Sequence, residues 1–218
     1  MQKKKRRLQL LIKRVIDFVA ALVLLLVLSP LYAALALLVK LDSPGSVFFS
    51  NELAGLEGQP FFSHKFRTMI PDAISTGLKY ETARDDPRIT RLGRFLRRFG
   101  LDELPQIYNV LRGEMSLIGP RPTFTWVAEQ YDEDERLRLG MRPGITGWAQ
   151  VHGRNAIPWE ERLVYDAEYV ANYSLWMDVK IIVMTIPVVL SSKYVYGKDG
   201  NVRTHKSPPP QDTNDGKA

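Results

Sequence analysis

The sequence predicts an α+β protein: a membrane-inserted re-entrant helical hairpin, followed by a mainly helical cytoplasmic domain with amphipathic interfacial helices and short strands. Three observations predict this fold class. Residues 18–39 form an uncharged apolar run. Residues 47–49 and 61–62 are apolar and flank a glycine-containing turn, as two short strands do. Residues 89–99 place leucines and phenylalanines on one helical face and arginines on another.

The basic residues before the apolar run account for the charge of the chain. The 218 residues carry a net charge of +6 and include no cysteine, which excludes a disulfide scaffold, a thiol nucleophile and cysteine-bound zinc. A nucleic-acid-binding protein usually spreads basic residues over its folded domain, whereas a basic segment beside an apolar one favours anionic lipid head groups. We therefore expect membrane lipids, and no nucleic acid, as partners. The basic residues of segment 1–14 are Lys3, Lys4, Lys5, Arg6, Arg7, Lys13 and Arg14.

Two interpretations of the apolar segment 15–40 remain open. At about 1.5 Å per residue it is long enough to cross a bilayer of about 30 Å as one helix. Ser29-Pro30 favours a hairpin instead, because proline removes a helical hydrogen bond and bends the helix. Basic residues also tend to stay cytoplasmic, so a single crossing would carry the rest of the chain outside. We expect a re-entrant hairpin that is broken at Ser29 and Pro30.

The chain divides into four predicted parts. Residues 1–14 are a basic cytoplasmic tail, residues 15–40 are the hairpin, and residues 41–196 are a domain at the membrane surface. Residues 197–218 are polar and proline-rich and are predicted to be disordered. Within the domain we expect helices over 89–99, 124–139, 159–173 and 174–190, and a strand over 145–151.

The stretch 87–122 combines arginines with two adjacent carboxylates, Asp102 and Glu103. Guanidinium groups match phosphate oxygens, and a carboxylate pair can hold a divalent metal or act as nucleophile and base. A plainer alternative is that the acids cap a helix that begins near Pro105, although a cap needs only one of them. The combination indicates chemistry on a phosphorylated substrate. The arginines of this stretch are Arg88, Arg91, Arg94, Arg97, Arg98, Arg112 and Arg121.

These basic side chains are expected to have different roles. Arg121 lies between two prolines, which restrict the backbone and can aim its guanidinium group. Arg97 and Arg98 are nearest the acids and are expected to serve the site, whereas Arg91 and Arg94 are expected to face lipid phosphates. Lys65 and Arg67 alternate with aromatic residues, so they either point from one strand face toward a ligand or are solvated.

With these residues in place, the chain closely resembles the bacterial sugar transferase family, the small monotopic polyprenyl-phosphate phosphoglycosyl transferases. The resemblance covers residues 13–196. Gly100 stands where serine is common in the family, and His152 where asparagine is common. The motifs that carry the resemblance are Lys13-Arg14, Ser29-Pro30, KFRTM at 65–69, DPRIT at 86–90, LDELPQ at 101–106, and the segments 115–122, 142–150 and 174–178.

The resemblance implies an activity and a location. The family transfers a sugar 1-phosphate from a UDP-sugar to undecaprenyl phosphate and releases UMP, with Mg²⁺ as cofactor. This reaction is the first membrane step in the assembly of glycoconjugates. The resemblance also implies the bacterial inner membrane, with the catalytic domain on the cytoplasmic face.

The resemblance further implies roles for individual residues. Asp102 would be the nucleophile that forms a covalent phosphosugar intermediate, and Glu103, with Asp102 beside it, would hold Mg²⁺. Four other positions match the family's site. Our assignments for them are phosphate binding by Arg121 and Arg154, support by Arg97, and metal binding or orientation by Asp178.

Two alternatives compete with this reading. One is a non-catalytic membrane scaffold that binds anionic lipids, which would not explain the Asp102-Glu103 pair. The other is direct attack by the lipid phosphate in a ternary complex, with Asp102 acting only as a metal ligand. The sequence leaves open the sugar, the pathway and the oligomeric state, and a homo-oligomer is compatible with it.

Overall fold

The N-terminal part of the fold is a bent pair of helices. The computed structural model describes residues 2–73, 75, 81–191, 197 and 200–202. Helix α1 (Gln2–Val27) is followed by helix α2 (Ser29–Asp42), and the two are bent by 63°. No single helix in these described ranges is long and apolar enough to cross a membrane, whereas this bent pair is, by length and composition.

The bend lies where the sequence predicts it. Pro30 occupies the first turn of α2, where its missing N–H costs no helical hydrogen bond. The Ser29 hydroxyl donates to the Leu26 carbonyl (2.8 Å) and so satisfies one of the carbonyls at the end of α1. The predicted boundary at residue 14 is not marked by any break, because α1 is continuous from Gln2 to Val27.

The remaining elements form a domain against the inner side of this pair. Its mixture of strands and helices confirms the α+β class. The strands are β1 (Phe48–Ala54), β2 (Pro60–Phe66), β3 (Thr82–Ala83), β4 (Ser116–Ile118), β5 (Thr123–Phe124), β6 (Gly144–Thr146) and β7 (Asn201–Val202), and the helices are α3 (Arg91–Phe99), α4 (Gln106–Arg112), α5 (Thr125–Ala128), α6 (Glu133–Arg136), α7 (Trp148–His152), α8 (Trp159–Ala171) and α9 (Leu175–Leu190).

Polar side chains attach the helix pair to this domain. The Arg14 guanidinium donates to the carbonyls of Val110 (2.6 Å) and Leu111 (2.9 Å), near the end of α4, where helix carbonyls lack helical partners. The Tyr32 hydroxyl donates to the Leu104 carbonyl. Arg14, assigned from the sequence to a lipid-facing tail, therefore binds protein carbonyls.

The outer faces of α1, α2 and α9 are apolar and exposed. Leu41 on α2 is 74% exposed, and Leu190 on α9 is equally exposed. Large contiguous apolar surfaces mark sites of contact with a membrane or another protein. Further exposed apolar residues on these helices include Leu11, Val15, Val19, Leu26, Leu37, Ile182, Val183 and Ile186.

A three-stranded antiparallel sheet carries one wall of the site. Strands β1 and β2 pair from Phe48 opposite Phe66 to Ala54 opposite Pro60, and β5 adds to the other edge of β1. The two strands predicted around the glycine-containing turn are thus confirmed. Asn109 of α4 holds this sheet by donating to the Phe62 carbonyl (2.7 Å) and accepting from the His64 N–H (3.1 Å).

A short parallel pair, β4 and β6, forms the other wall. Ser116 lies opposite Gly144 and Ile118 opposite Thr146. Gly119 and Gly144 let the backbones approach closely here, because a Cβ at Gly144 would lie 2.0 Å from the Gly119 nitrogen. This approach brings the loop after β4 next to the segment after β6.

Two predicted elements are wrong in detail. The strand predicted over 145–151 ends at Thr146, and helix α7 follows it; Trp148 and Val151, three residues apart as on one helix face, join the core cluster that contains Tyr169 and Ile181. The single helix predicted over 124–139 is divided into α5, α6 and a 3₁₀ turn (Leu137–Gly140). Asp132 causes one of these breaks by forming a capping box with Glu135.

The other predicted helices are present and build the core under the site. Helices α3, α8 and α9 match the predicted segments to within a few residues. Tyr169 of α8 and Ile181 of α9 are fully buried and pack with Trp148 of α7. Of the segment predicted to be a disordered tail, β7 pairs with β3, and residues 203–218 lie outside the described residues.

Candidate active site

The two adjacent acids lie in a tight turn between two helices. Thr90 caps the start of α3, and Gly100, with φ of 69°, ends it in the left-handed conformation that glycine adopts without strain. A 3₁₀ turn (Leu101–Glu103) then holds Asp102 and Glu103 before α4 begins. Neither carboxylate caps α4, since no side chain hydrogen-bonds at its start. The helix-cap alternative is therefore wrong.

Glu103 is buried and is bound by two cations. Its Oε1 accepts from Lys65 Nζ and from one terminal nitrogen of the Arg121 guanidinium, both at 2.7 Å. Its Oε2 lies 3.4 Å from the second terminal nitrogen of Arg121. Burial opposes ionisation, but the charges of Arg121 and Lys65 outweigh it and hold the pKa of Glu103 well below its usual range. Glu103 is thus a permanent anion that positions two basic side chains.

The carboxylate of Asp102 is in a different environment from that of its neighbour. Among the described residues, none donates a hydrogen bond to it. Burial raises the pKa of Asp102, the charge of Glu103 raises it further, and Lys65, Arg97 and Arg121 oppose the shift. An unpaired carboxylate close to three cations is free to attack an electrophile that those cations bind.

Arg97 and Arg154 complete the cations around the acids. Arg97 Nε donates to the Thr68 hydroxyl (2.8 Å), which orients its guanidinium on α3. Arg154 has φ of 49°, a conformation that non-glycine residues seldom adopt outside functional sites. Burial and repulsion by Arg121 lower the pKa of Arg154, and within the described residues no acceptor binds its guanidinium. We call Lys65, Arg97, Asp102, Glu103, Arg121 and Arg154 the site cluster.

A basic cavity of about 200 Å³, the main cavity, adjoins the site cluster. Phe124 and Trp159 supply aromatic surface to its wall. An excess of cations around a concave surface with aromatic walls suits a ligand that joins phosphates to rings. The basic residues that line the main cavity are Lys65, Arg121, Arg138, Arg154 and Arg162.

Arg138 was missed by the sequence reading and supports the loop that carries Arg121. It donates to the Arg121 carbonyl (2.8 Å), and a guanidinium nitrogen lies 2.6 Å from Asp166 Oδ2. Arg138 lies in the segment 124–139, which was predicted to be a helix with a solvated charged face, and Arg162 lies in the helix predicted over 159–173. The one available signal was that Arg138 closely follows the acids of 129–135, and this pattern does not distinguish a buried arginine from an exposed one.

Two of the predicted site residues lie elsewhere. Arg67 donates to the carbonyl (2.6 Å) and hydroxyl (3.0 Å) oxygens of Ser43, and so fixes the chain after α2. Asp178 accepts from Lys13 Nζ (2.8 Å) and from the Tyr169 hydroxyl (2.7 Å). The structure therefore brings Lys65, Arg97, Arg121 and Arg154 to the two acids, but not Arg67 or Asp178.

Asp178 belongs to a second buried group, the anchor cluster, which joins α1 to α9 and β4. In it, Asp17 Oδ2 accepts from the Ser116 hydroxyl (2.7 Å) and Asp17 Oδ1 from the Leu117 N–H (3.1 Å). Lys13 lies between the two carboxylates, 3.9 Å from Asp17 and 2.8 Å from Asp178. The anchor cluster consists of Lys13, Asp17, Ser116, Tyr169 and Asp178.

The donor set can accommodate Mg²⁺ only together with a substrate. Within the described ranges, no group of three or more histidine, aspartate or glutamate side chains could hold a metal ion. Mg²⁺ is commonly held by one or two carboxylates plus substrate phosphates and waters. Asp102 and the weakly bound Oε2 of Glu103 fit that pattern.

The fold and the site define a class of protein: a phosphate-directed enzyme attached to an apolar helix pair. The chain matches the family model described as "Bacterial sugar transferase" over residues 8–192. It therefore belongs to the bacterial sugar transferase family, as the motifs of the sequence indicated.

Individual relatives agree with this assignment. The chain is 41% identical over 184 residues to "Uncharacterized sugar transferase EpsL" of Bacillus subtilis, covering 84% of this chain and 90% of the relative. It is 41% identical over 198 residues to "Exopolysaccharide production protein ExoY" of Rhizobium meliloti, covering 84% and 88%.

Some relatives are much longer. The chain is 43% identical over 187 residues to "UDP-glucose:undecaprenyl-phosphate glucose-1-phosphate transferase" of Escherichia coli, covering 81% of this chain but 39% of that protein. The chain thus corresponds to one part of such proteins.

Proposed function

We propose that this protein transfers a sugar 1-phosphate from a UDP-sugar to undecaprenyl phosphate and releases UMP, through a covalent phosphosugar on Asp102. The observation that carries the proposal is the unpaired carboxylate of Asp102 beside a glutamate that two cations bind. The name of the Escherichia coli relative describes a reaction of this kind. The main cavity supports it, since its arginines and aromatic rings suit a nucleotide sugar.

The donor binds with its diphosphate among the cations of the site cluster. Arg121 and Arg154 hold the phosphate oxygens, because the guanidinium fork matches them, and Lys65 contributes a point charge. Glu103 holds Arg121 and Lys65 in place before the substrate arrives, which reduces the reorganisation that the reaction requires.

The first displacement forms the covalent intermediate. An Asp102 carboxylate oxygen attacks the phosphorus that bears the sugar, and the bond from that phosphorus to the bridging oxygen of UMP breaks. UMP leaves with the electron pair, and no proton is transferred. Cations around the phosphates reduce the repulsion between an anionic nucleophile and an anionic substrate.

The second displacement regenerates the enzyme. An oxygen of the undecaprenyl phosphate attacks the same phosphorus, the bond from Asp102 to phosphorus breaks, and the carboxylate returns. Since the donor and the acceptor use one nucleophile in turn, the soluble and membrane substrates need not bind together.

Mg²⁺ is the proposed cofactor, held by Glu103 and Asp102 with the phosphate oxygens. When bound, it supplies further positive charge at the transferred phosphate. We expect a chelator to abolish UMP release and added Mg²⁺ to restore it. UMP release that continues at full rate in excess chelator would remove Mg²⁺ from the proposal.

The helix pair is proposed to enter and leave the membrane on the cytoplasmic face. Its 63° bend and its exposed apolar surface support this topology over a single crossing. The test uses two variants, each with a single cysteine in place of Lys4 or Asp134. Because the chain has no native cysteine, any labelling comes from the introduced one. Both should be shielded from an impermeant thiol reagent in intact cells. Labelling of Asp134→Cys alone would indicate a crossing.

One experiment tests the reaction against its alternatives. Purified protein is given a panel of UDP-sugars labelled in the sugar, without acceptor, and UMP and protein-bound label are measured. We expect both to form with the correct donor, and transfer to follow when undecaprenyl phosphate is added. Release of UMP only when acceptor is present would favour the ternary mechanism, and no release with any donor would favour the scaffold.

A further inference from the structure

A second cavity, of about 100 Å³, shares Gln150 and Arg154 with the main cavity and is also lined by Glu103. Five of its lining residues carry large apolar side chains: Phe99 at the end of α3, Ile145 of β6, Val151 of α7, and Val188 and Val189 near the end of α9. Its polar wall is formed by Glu103, Gln150 and Arg154, and two further lining residues, Thr146 and Thr185, hydrogen-bond to each other (2.8 Å). The second cavity therefore joins an apolar interior to one side of the site cluster.

The buried side-chain amide of Gln150 indicates that a ligand group binds at this wall. It lines both cavities and is 5% exposed. Among the described residues, neither its side-chain oxygen nor its nitrogen has a hydrogen-bond partner. A buried polar group without a partner is costly, so its persistence between two cavities points to a polar ligand group there. Arg154, whose guanidinium also lacks an acceptor, supplies positive charge beside it.

The apolar side of the second cavity is continuous with the exposed apolar surface. Val189 lines it and is 36% exposed, and Ile186 on the same helix is 56% exposed. On the opposite side, Phe99 packs edge-on against Phe95 (5.1 Å between ring centres), which is 51% exposed. Exposed apolar side chains of α3 and α9 thus lie next to the apolar residues that line the second cavity, whose polar wall carries Arg154.

We propose that the second cavity binds the first isoprene unit of the polyprenyl phosphate acceptor, with its phosphate toward Arg154 and Gln150. This rests on the proposed function and adds a separate acceptor subsite to it. Charge complementarity favours this occupant, because the one anionic end of the lipid matches Arg154, whereas Glu103 in the same wall is already paired with Lys65 and Arg121. An apolar cavity of about 150 Å³ holds a benzene-sized molecule, so about 100 Å³ suits a five-carbon unit.

The test fills the cavity and measures each half of the reaction. Val189→Trp is compared with Val183→Trp, which adds the same side chain to α9 at a position that is 61% exposed and does not line the second cavity. We expect Val189→Trp to raise the KM for undecaprenyl phosphate at least about fivefold. Covalent labelling by the UDP-sugar without acceptor, and all parameters of Val183→Trp, should match the wild type. Equal acceptor KM values for the two variants overturn the proposal.

A measurement on the unaltered chain does not depend on how the variants fold. Undecaprenyl phosphate with a photoreactive group in its first isoprene unit is crosslinked to the wild-type protein in lipid nanodiscs. Crosslinks to 185–189 or to Phe99 support the subsite, and crosslinks confined to α1 and α2 overturn it. Crosslinking without UMP release from any UDP-sugar would mean that the proposed function fails while the lipid site stands.

Discussion

The site cluster and the anchor cluster each combine two carboxylates with basic side chains but differ in how completely these groups are paired. In the anchor cluster, all four carboxylate oxygens of Asp17 and Asp178 accept hydrogen bonds, from Ser116, Leu117, Lys13 and Tyr169. In the site cluster, Glu103 is paired, but Asp102 has no donor and Arg154 no acceptor among the described residues. The site cluster also has more cations than acids, whereas the anchor cluster has fewer.

This difference separates a structural ion pair from a reactive one. In the anchor cluster every carboxylate oxygen accepts a hydrogen bond from the protein. This network fixes the position of α1 against α9 and leaves no unpaired carboxylate for a ligand. A network with an unpaired carboxylate, an unpaired guanidinium and an adjoining cavity needs a ligand to complete it. The comparison also explains why Asp178, although it matches a family motif, lies outside the site.

The largest expected effect is the loss of covalent labelling when the carboxylate of Asp102 is replaced. Asp102→Asn should lower covalent labelling by the UDP-sugar more than about 10³-fold, because the amide cannot act as the nucleophile. Its folding should change little, since no hydrogen bond is lost. Asp178→Asn is the matched control and should label normally per folded molecule. Labelled protein trapped after denaturation, normalised to the folded fraction, measures both. A retained covalent species in Asp102→Asn would exclude Asp102 as the nucleophile.

The next effect concerns the arginine that Glu103 positions. Arg121→Ala should lower kcat/KM by about 10²- to 10³-fold, comparable to the loss of one preorganised donor to a developing charge. Membrane association should persist, as measured by flotation with vesicles. Arg112→Ala is the control, because Arg112 is half-exposed and pairs with Glu114 at 3.2 Å on the surface. Equal loss of activity in both variants would mean that Arg121 has no particular role.

The anchor cluster should respond in stability rather than in chemistry. Lys13→Met leaves two buried carboxylates without their cation, and removing one partner of a buried pair costs about 3–5 kcal/mol of unfolding free energy. The double variant Lys13→Met/Asp178→Asn should recover part of that loss. Denaturant unfolding in detergent measures the three proteins. A double variant less stable than Lys13→Met would show that the carboxylate has a further favourable contact.

The sequence predicts the site residues that belong to short patterns in the chain, but not those that only folding brings to the site. Asp102 and Glu103 are adjacent in the chain, and Arg121 is marked by its flanking prolines, so both were found from short patterns. Arg138 was not, because its contact with the Arg121 carbonyl depends on a turn that no single segment specifies. Arg67 was placed with Lys65 on the strength of alternation along a strand, but β2 ends at Phe66 and Arg67 turns to Ser43.

The same limit applies to the fold. The bend at Pro30 follows from two adjacent residues, Ser29 and Pro30. The β1–β2 hairpin follows from two apolar runs on either side of one short turn. Helix α7 was mistaken for a strand because its short apolar run fits both periods, and burial of Trp148 and Val151 on one side decides between them only after α8 and α9 are in place.

The smallest expected effect is a shift in pH dependence, and it separates the two acids of the site cluster. Burial and the charge of Glu103 raise the pKa of Asp102, while Arg121 and Lys65 hold the pKa of Glu103 well below its usual range. Attack requires the ionised form of Asp102, so single-turnover labelling should fall as the pH drops through a pKa above that of an ordinary aspartate. Glu103 stays ionised throughout this range.

The variant Arg97→Gln tests the direction of this shift in pH dependence. Arg97 opposes the upward shift in the pKa of Asp102, so Arg97→Gln should move the acid limb of the labelling profile to higher pH. Arg94→Gln is the control: Arg94 lies exposed on the same helix, and its guanidinium donates to the Ile89 carbonyl (3.0 Å). The position of the limb is measured, not the plateau rate, because loss of a merely structural contact would lower the plateau without moving the limb. An acid limb that stays in place, or moves to lower pH, would mean that Asp102 does not set it.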